Sequence, residues 1–147
     1  MTYSDGYKIA RADFELSSLL PHIEFEGVTV ACGHSRLVTN GNSDNQPVSR
    51  DGIIVLHNGI IVNAEDVSNQ TGITLNQEID TEIIAALFAK KLTDGLDVGE
   101  IPKIVMSYCT GVVAAAVAIP ALGKLVLFSN NGSLYVGDKK RRHSFFI

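Results

Sequence analysis

Three short polar clusters hold the residues of this sequence that could do chemistry. They are GHSRLVTNG at 33–41, HNGI at 57–60 and DTE at 80–82. Arginine offers two parallel N–H donors to a carboxylate, and aspartate accepts from an ammonium group, so Arg36 and Asp80 could hold the two charges of an α-amino acid. Asn58 and Gly59 could direct a side-chain N–H and a backbone N–H at one oxygen, which is the arrangement of an oxyanion hole.

Each of these features also has an ordinary structural interpretation. Arg36 could form a surface ion pair, Asn58-Gly59 is typical of a tight turn, and Asp80 is a common helix N-cap. His34 and His57 could be packed, hydrogen-bonded histidines. The sequence contains no Cys/His spacing typical of zinc and no phosphate-binding glycine loop, so we predict neither a metal nor a cofactor.

The clusters adjoin segments with strong secondary-structure signals. A β-rich run, Val28 to Cys32, precedes the first cluster, and the apolar run 53–57 predicts a strand covered on both faces before the second. Apolar residues at helical spacing predict helices over 80–94 and 98–108. Further strands are predicted over 111–119, 124–129 and 134–137. Helices grouped between antiparallel strands favour an α+β domain.

Local signals also predict where several elements begin and end. Asn63 is expected to cap a short helix, and Asp80 or Thr81 to cap the helix over 80–94. Gly95 is a typical residue for ending that helix. The basic run 139–142, KKRR, is interpreted as a solvated hairpin tip.

Composition limits the class of protein. The 147 residues fit one domain, 1–147, and with 46% hydrophobic and 19% charged residues the chain is not a disordered one. The net charge of −4 argues against a nucleic-acid partner, and no apolar run is long enough to cross a membrane. The polar N-terminus and the two cysteines, Cys32 and Cys109, indicate a reduced, cytoplasmic protein.

The order and spacing of the clusters resemble a known family. GHSRLVTNG, NQPV, IVLHNGIIVNAEDV, IDTEII, GVVAAAVA and FSNNGSLYVG together resemble the glutaminase domain of class II glutamine amidotransferases. The likeness runs from about residue 3 to residue 147 and is closest to the amino-terminal domain of glucosamine-6-phosphate synthase and its relatives. It implies an N-terminal-nucleophile hydrolase fold, an αββα sandwich of two antiparallel sheets.

The resemblance also implies roles for individual residues. Arg36 matches the arginine that binds the α-carboxylate of L-glutamine, and Thr39 lies in the same loop. Asp80 matches the aspartate that holds the α-amino group. Asn58 and Gly59 match the oxyanion hole. Such domains use a thiol to hydrolyse the side-chain amide of glutamine, and they supply ammonia to a synthase or isomerase domain or subunit.

The sequence departs from the family where the nucleophile is expected. In the family, an N-terminal cysteine is followed by a strand and a helix and then by a segment that resembles Tyr3 to Ala10. The chain is therefore expected to begin about two dozen residues late, without the catalytic strand. Cys32 and Cys109 fit small buried residues better. Thr2 could become N-terminal after removal of Met1, but it lies next to the wrong segment.

Two explanations of this departure stay open. The chain is either an excerpt or a mis-started reading frame of an ordinary amidotransferase, which the retained pocket residues favour, or a short protein that has lost catalysis. The corresponding functions are a glutaminase domain, inactive as supplied, and a non-catalytic glutamine-binding or interaction module. Loss of an inner strand would expose a sheet edge, so we also expect a homodimer or aggregation. Leu37 and Asn40 replace a tryptophan and a histidine that are common in the family.

Overall fold

The computed structural model of the chain describes residues 2–3, 6–10, 21, 23–24, 26–28, 30–34, 45–139 and 142–146. Residues 35–41 of the first polar cluster, which include Arg36, Leu37, Thr39 and Asn40, lie outside these ranges. Within the described ranges, no helix combines the length and the apolar character that crossing a membrane requires.

A four-stranded antiparallel sheet is the centre of the described structure. In chain order, the strands are β1 (Thr2–Tyr3), β2 (Gly6–Tyr7), β3 (Val48–Arg50), β4 (Ile53–Ile61), β5 (Gly111–Ile119), β6 (Lys124–Ser129), β7 (Tyr135–Lys139) and β8 (Arg142–Phe146). The large sheet has the order β3-β4-β5-β6, while β1 pairs with β2 and β7 with β8. Because β4 and β5 each span nine residues, they form the longest ladder, from Ile54↔Ala118 to Ile61↔Gly111.

Tight turns set the register of this sheet. Strands β3 and β4 are joined by Asp51 and Gly52, which both have positive φ, at 48° and 78°. Two successive residues with positive φ are typical of the hairpin turns whose twist matches that of the strands. Strands β5 and β6 are joined by a short 3₁₀ turn, Pro120–Leu122, that ends at Gly123 with φ 59°.

Three helices connect β4 to β5 and cover one face of the sheet. They are α1 (Ala64–Thr71), α2 (Glu82–Thr93) and α3 (Ile101–Tyr108). Helix α2 is the central one, with every residue from Glu82 to Phe88 buried. Its apolar side packs on the sheet, where the rings of Phe88 and Phe128 stack with centroids 5.9 Å apart. The sheet face under the helices carries Val55, His57, Gly59 and Ile61 of β4 in alternation.

The opposite face of β4 carries Ile54, Leu56, Asn58 and Ile60. Ile54 and Leu56 are buried, whereas Asn58 and Ile60 are exposed. The antiparallel sheet with its helices agrees with the predicted α+β class. An αββα sandwich requires a second large sheet on this opposite face. Because the other sheets in the described residues have two strands each, the sandwich is not confirmed.

Most predicted elements are present, and one is not. Strands β5 and β6 have the predicted bounds, and α2 and α3 begin two and three residues inside the predicted helices. Strands β7 and β8 pair with Lys139 opposite Arg142, which confirms the hairpin at the KKRR run. The predicted strand over Val28 to Cys32 is wrong, since its described residues contain an isolated bridge at Val30 instead of a strand.

Candidate active site

Asn58 and Gly59 lie inside strand β4, so their interpretation as a turn is wrong. Gly59 has φ +145°, and a Cβ built on it would lie 1.9 Å from the carbonyl oxygen of Val112 and 2.9 Å from Nε2 of His57. No side chain fits in that space. The glycine is therefore required by the close approach of strand β5. The sequence alone does not show whether this glycine is needed for a turn or for a close contact, because the contacting residue is far along the chain.

The backbone N–H of Gly59 points to the outer edge of β4, away from β5. Backbone N–H groups of alternate strand residues face the same edge. On that edge the His57 N–H donates to Gln46 Oε1 at 2.6 Å, and the Ile61 N–H donates to Asp80 Oδ2 at 2.7 Å. Gly59 lies between these two residues. The pairing of β4 with β3 extends no further along β4 than Val55, so β3 does not reach Gly59. Among the described residues, no acceptor is paired with the Gly59 N–H.

Asp80 is placed at the same end of the sheet by its contact with β4. The residue is buried, and its Oδ2 accepts the Ile61 N–H. Within the described ranges Oδ1 receives no hydrogen bond, so one carboxylate oxygen is left for another partner. The side chain of Asn58 is exposed and likewise makes no hydrogen bond with the described residues. Three of the predicted site residues, Asn58, Gly59 and Asp80, thus come together at one place.

The other two residues of the DTE cluster tie the start of α2 to the rest of the fold. Thr81 Oγ1 lies 3.2 Å from Nδ1 of His57. Glu82 is buried, receives a hydrogen bond from Arg50 at 2.8 Å on Oε1, and accepts two backbone N–H groups at 2.8 Å on Oε2. Thr81 is the N-cap residue of α2, as predicted, but neither Asp80 nor Thr81 makes a capping hydrogen bond with its side chain. Both side chains are engaged on β4 instead.

His57 confirms its interpretation as a packed, hydrogen-bonded histidine. Its ring contacts Thr81 through Nδ1 and the Val112 carbonyl oxygen through Nε2, each at 3.2 Å. Burial lowers the pKa of His57 below its ordinary value, and this effect outweighs the opposing influence of the Asp80 charge and the Val112 carbonyl. The imidazole is therefore neutral near pH 7.

This lowered pKa predicts a loss of stability on mild acidification. Because residue 57 takes up a proton near pH 6.5 in the unfolded chain and only at a lower pH in the folded chain, the free energy of unfolding falls as the pH drops below about 6.5. The slope from this group is at most about 1.4 kcal/mol per pH unit. Urea unfolding at pH 7.5 and 5.5 should show a smaller fall for His57→Gln. Equal falls in both proteins would contradict the assignment.

Three carboxamide side chains complete the backbone hydrogen bonding around this end of the sheet. Gln46 pairs with both the N–H and the carbonyl of His57, at 2.6 and 2.7 Å. Asn130 Oδ1 accepts from Val113, and its Nδ2 donates to the Gly111 carbonyl, both at 2.9 Å.

Asn63 accepts from Thr110 at 2.7 Å and donates to the Tyr108 carbonyl at 2.9 Å. Asn63 is the N-cap residue of α1, yet its side chain makes no cap bond, contrary to prediction.

An open cavity of about 900 Å³ adjoins Asp80. It is lined by residues of α1 and of the segment 72–80, with Ile61 at its β4 side. Its charged lining residues, Glu65, Asp66, Glu78 and Asp80, are all acidic. A negative potential of this kind favours a ligand group with positive charge. In the described part of the chain, no group of three or more His, Cys, Asp or Glu is arranged to hold a metal ion.

Neither cysteine has the environment of an activated nucleophile. Cys109 follows α3 and is buried, and its burial, with the Asp80 charge as a smaller contribution, raises its pKa to about 11. Burial also raises the pKa of Cys32. Nucleophilic cysteines act as thiolates and need a lowered pKa, so both side chains fit structural positions.

Of the predicted site residues, Arg36 and Thr39 lie outside the described residues. The sequence also left several organising groups unassigned: Gln46, Arg50 and Asn130, and the contact between Thr81 and His57. Gln46 belongs to the NQPV segment of the family resemblance, which is the signal that could have drawn attention to it. Arg50 precedes a turn and gives no local sign of its buried partner.

Comparison with known proteins shows which family this chain resembles. The sequence model of a family described as "Glutamine amidotransferase domain" matches residues 34–147. The chain is 30% identical over 130 residues to a glutamine–fructose-6-phosphate aminotransferase (isomerizing) of Mesorhizobium japonicum, covering 83% of the chain and 21% of that protein. It is 34% identical over 110 residues to the enzyme of that name in Agrobacterium fabrum, covering 71% of the chain and 18% of the relative.

A third relative with the same name, from Caulobacter vibrioides, is 34% identical over 117 residues, which is 75% of the chain and 19% of the relative. The chain thus spans about a fifth of the length of the curated relatives it matches. The family match covers well over half of the chain and includes Asn58, Gly59 and Asp80. The chain therefore belongs to the glutamine amidotransferase domain family.

Proposed function

We propose that this domain binds L-glutamine at the end of β4 and polarises its side-chain amide. Asp80 Oδ1 accepts from the α-amino group, and Arg36, with Thr39 in the same loop, binds the α-carboxylate. Asn58 and the Gly59 N–H donate to the amide oxygen. The observation that carries the proposal is the Gly59 N–H on the outer edge of β4, two residues from the N–H that Asp80 accepts.

Dimensions support this arrangement. Gly59 and Ile61 are two residues apart along β4, so their amide nitrogens are separated by about 6.6 Å. Five zigzag bonds of about 1.5 Å join the α-nitrogen of glutamine to its amide oxygen, giving an extended span of about 6 Å. One glutamine can therefore reach Asp80 with its ammonium group and Gly59 with its amide oxygen. The spacing of the two backbone N–H groups therefore matches the length of the glutamine side chain.

The proposed reaction of the domain is hydrolysis of that amide. A thiolate attacks the amide carbon, the carbon–nitrogen bond breaks as the nitrogen takes a proton, and ammonia leaves; water then cleaves the thioester to glutamate. The oxyanion donors stabilise the negative charge of each tetrahedral intermediate. The consumer of the ammonia is a synthase or isomerase domain or subunit, and the names of the relatives favour amino-sugar biosynthesis.

A non-catalytic glutamine-binding module is the second candidate function. The raised pKa values of Cys32 and Cys109 favour it for the 147-residue chain, because neither thiol is ionised near neutral pH. On this basis, the chain binds glutamine without releasing ammonia. Measuring ammonia released from L-glutamine separates the two functions, and release that persists in a Cys32→Ser/Cys109→Ser variant would exclude a thiol mechanism.

Calorimetric titration with L-glutamine tests the binding site. Asp80→Asn keeps an oxygen for the Ile61 N–H but loses the charge that faces the ammonium group. We expect a 10- to 100-fold weaker affinity, which corresponds to about 1.5–3 kcal/mol for a hydrogen bond to a charged group. Asp94→Asn is the matched control, since Asp94 lies at the end of α2 and pairs with Lys91. Its affinity should equal that of the unaltered chain.

L-norvaline tests the oxyanion donors separately, because it has the α-amino and α-carboxylate groups but no side-chain amide. Asn58→Ala should weaken L-glutamine binding about 2- to 10-fold, the value of one neutral hydrogen bond, and leave L-norvaline binding unchanged. Equal losses for both ligands would show that Asn58 does not contact the amide. Absence of any glutamine binding by the unaltered chain would refute the proposed function.

A further inference from the structure

The hydrogen bonds of His57 fix which ring nitrogen carries the proton. The Val112 carbonyl oxygen can only accept, so the Nε2 atom 3.2 Å away is the protonated one. In the neutral ring Nδ1 is then an acceptor, and the Thr81 hydroxyl 3.2 Å away is its donor. The contacts of the ring define a single tautomer.

The same residue is also held by its backbone. The Gln46 carboxamide donates to its carbonyl at 2.7 Å and accepts from its N–H at 2.6 Å. His57 is 2% exposed, and its ring lies over the position that a side chain at Gly59 would fill. The residue immediately before the oxyanion pair therefore has no freedom to rotate its ring or shift its peptide without breaking these bonds.

A closed set of contacts joins the two halves of the proposed site through this histidine. His57 contacts Thr81, the neighbouring Asp80 accepts from Ile61, and the strand returns through Gly59 to His57. The Gly59 N–H lies within this circuit. A change in the bond between His57 and Thr81 must therefore alter the position of the Asp80 carboxylate relative to the Gly59 N–H.

We infer that His57, neutral and protonated on Nε2 alone, is a positioning residue for the proposed glutamine site, and that protonation of Nδ1 weakens glutamine binding. This inference rests on the proposed function. Protonation turns Nδ1 into a donor, so the Thr81 hydroxyl must turn and accept from it, and the ring gains a positive charge near Asp80 that competes with the ammonium group of the ligand. The effect is transmitted to the ligand through Asp80 and Gly59.

The groups around the ring determine the charge that it meets. From the start of α2, Asp80 is the one ionised group identified near it. Cys109, after α3, faces the same carboxylate but is a neutral thiol because its pKa is about 11. Strand β5 contributes Val112 and the register partner Ala115, and Gln46 lies on the other side of β4, all without charge.

Thr81 offers a matched pair of variants to test the positioning role. Thr81→Ser keeps the hydroxyl, and Thr81→Val removes it with little change in volume. At pH 7.5 we expect L-glutamine affinity to fall about 10-fold in Thr81→Val and to stay within about 2-fold in Thr81→Ser. In the unaltered chain, affinity should fall as residue 57 takes up a proton, at the pH where the ring resonances of His57 titrate.

Nitrogen NMR of the histidine rings gives a readout that is independent of the ligand. The expected signature is a protonated Nε2 and a bare Nδ1 on His57 at pH 7.5, with the Gly59 amide resonance shifting as residue 57 titrates. A proton on Nδ1 at pH 7.5, a Gly59 resonance that ignores the titration, or equal affinities of the two Thr81 variants would each overturn the inference. If the unaltered chain binds no glutamine, the proposed function fails, while these ring and amide signals still decide whether His57 controls Gly59.

Discussion

Gly59→Ala is expected to lower the free energy of unfolding by about 4 kcal/mol. The added Cβ would lie 1.9 Å from the Val112 carbonyl oxygen, and φ +145° is strained for any L-residue with a side chain. Overpacking and backbone strain each cost about 1–3 kcal/mol, and here they add because the backbone of β5 is the obstacle. For a chain of this size the midpoint of thermal unfolding should fall by about 8–16 °C.

Gly72→Ala is the matched control for this substitution. Gly72 ends α1 with φ +66°, and a Cβ there would meet nothing within 4 Å. Its cost is backbone strain alone, about 1 kcal/mol. Thermal and urea unfolding of the two variants should therefore differ about fourfold in the free energy lost. If Gly59→Ala cost no more than Gly72→Ala, the close approach of β4 and β5 would be wrong.

Glu82→Gln is expected to cost about 3 kcal/mol of stability. The Glu82 carboxylate is 1% exposed, pairs with Arg50 at 2.8 Å and accepts the backbone N–H groups of Asn76 and Gln77. The amide can satisfy fewer of these donors and leaves the Arg50 charge without its partner. Removing one partner of a buried ion pair typically costs 3–5 kcal/mol of stability. Because the Arg50 side chain is 19% exposed, we expect a cost at the lower end of that range.

The ion pair between Lys103 and Glu100 provides the comparison. Its N–O distance of 2.9 Å is close to that of the Arg50 pair, but its side chains are 75% and 60% exposed. Glu100→Gln should therefore change the free energy of unfolding by less than about 0.5 kcal/mol. Urea unfolding of both variants at pH 7.5 measures the contrast. A Glu82→Gln protein as stable as Glu100→Gln would show that the buried carboxylate does not organise the segment before α2.

The sequence predicted those elements whose determinants are local. Strands β5 and β6 are apolar runs bounded by glycine, proline and asparagine, so their ends could be placed to the residue. Helix α2 was equally clear from its apolar spacing and the glycine that follows it. The run Val28 to Cys32 has the same β-branched character, but in its described residues the pairing is confined to an isolated bridge at Val30, and apolar composition alone does not specify a partner strand.

The site could be located from the sequence, but its internal contacts could not. The dipeptide Asn58-Gly59 gives the same local signal in a turn and in a strand, and the group that requires the glycine is the Val112 carbonyl, over fifty residues later. Asp80 and Thr81 looked like helix caps because capping is their commonest local role. Their actual partners, Ile61 and His57, lie on β4, and no local pattern specifies contacts made across the fold.

The side chains that hydrogen-bond to the outer edge of β4 have a consequence for the association between chains. Beyond β3, the outer edge of β4 would normally attract an extended segment from another molecule, because its N–H and carbonyl groups would be unpaired. Gln46 occupies the groups of His57, and Asp80 occupies the N–H of Ile61. An incoming strand needs several consecutive pairs, and in the described residues these two side chains already occupy groups on both sides of Gly59. Their hydrogen bonds thus oppose the addition of a strand at this part of the edge.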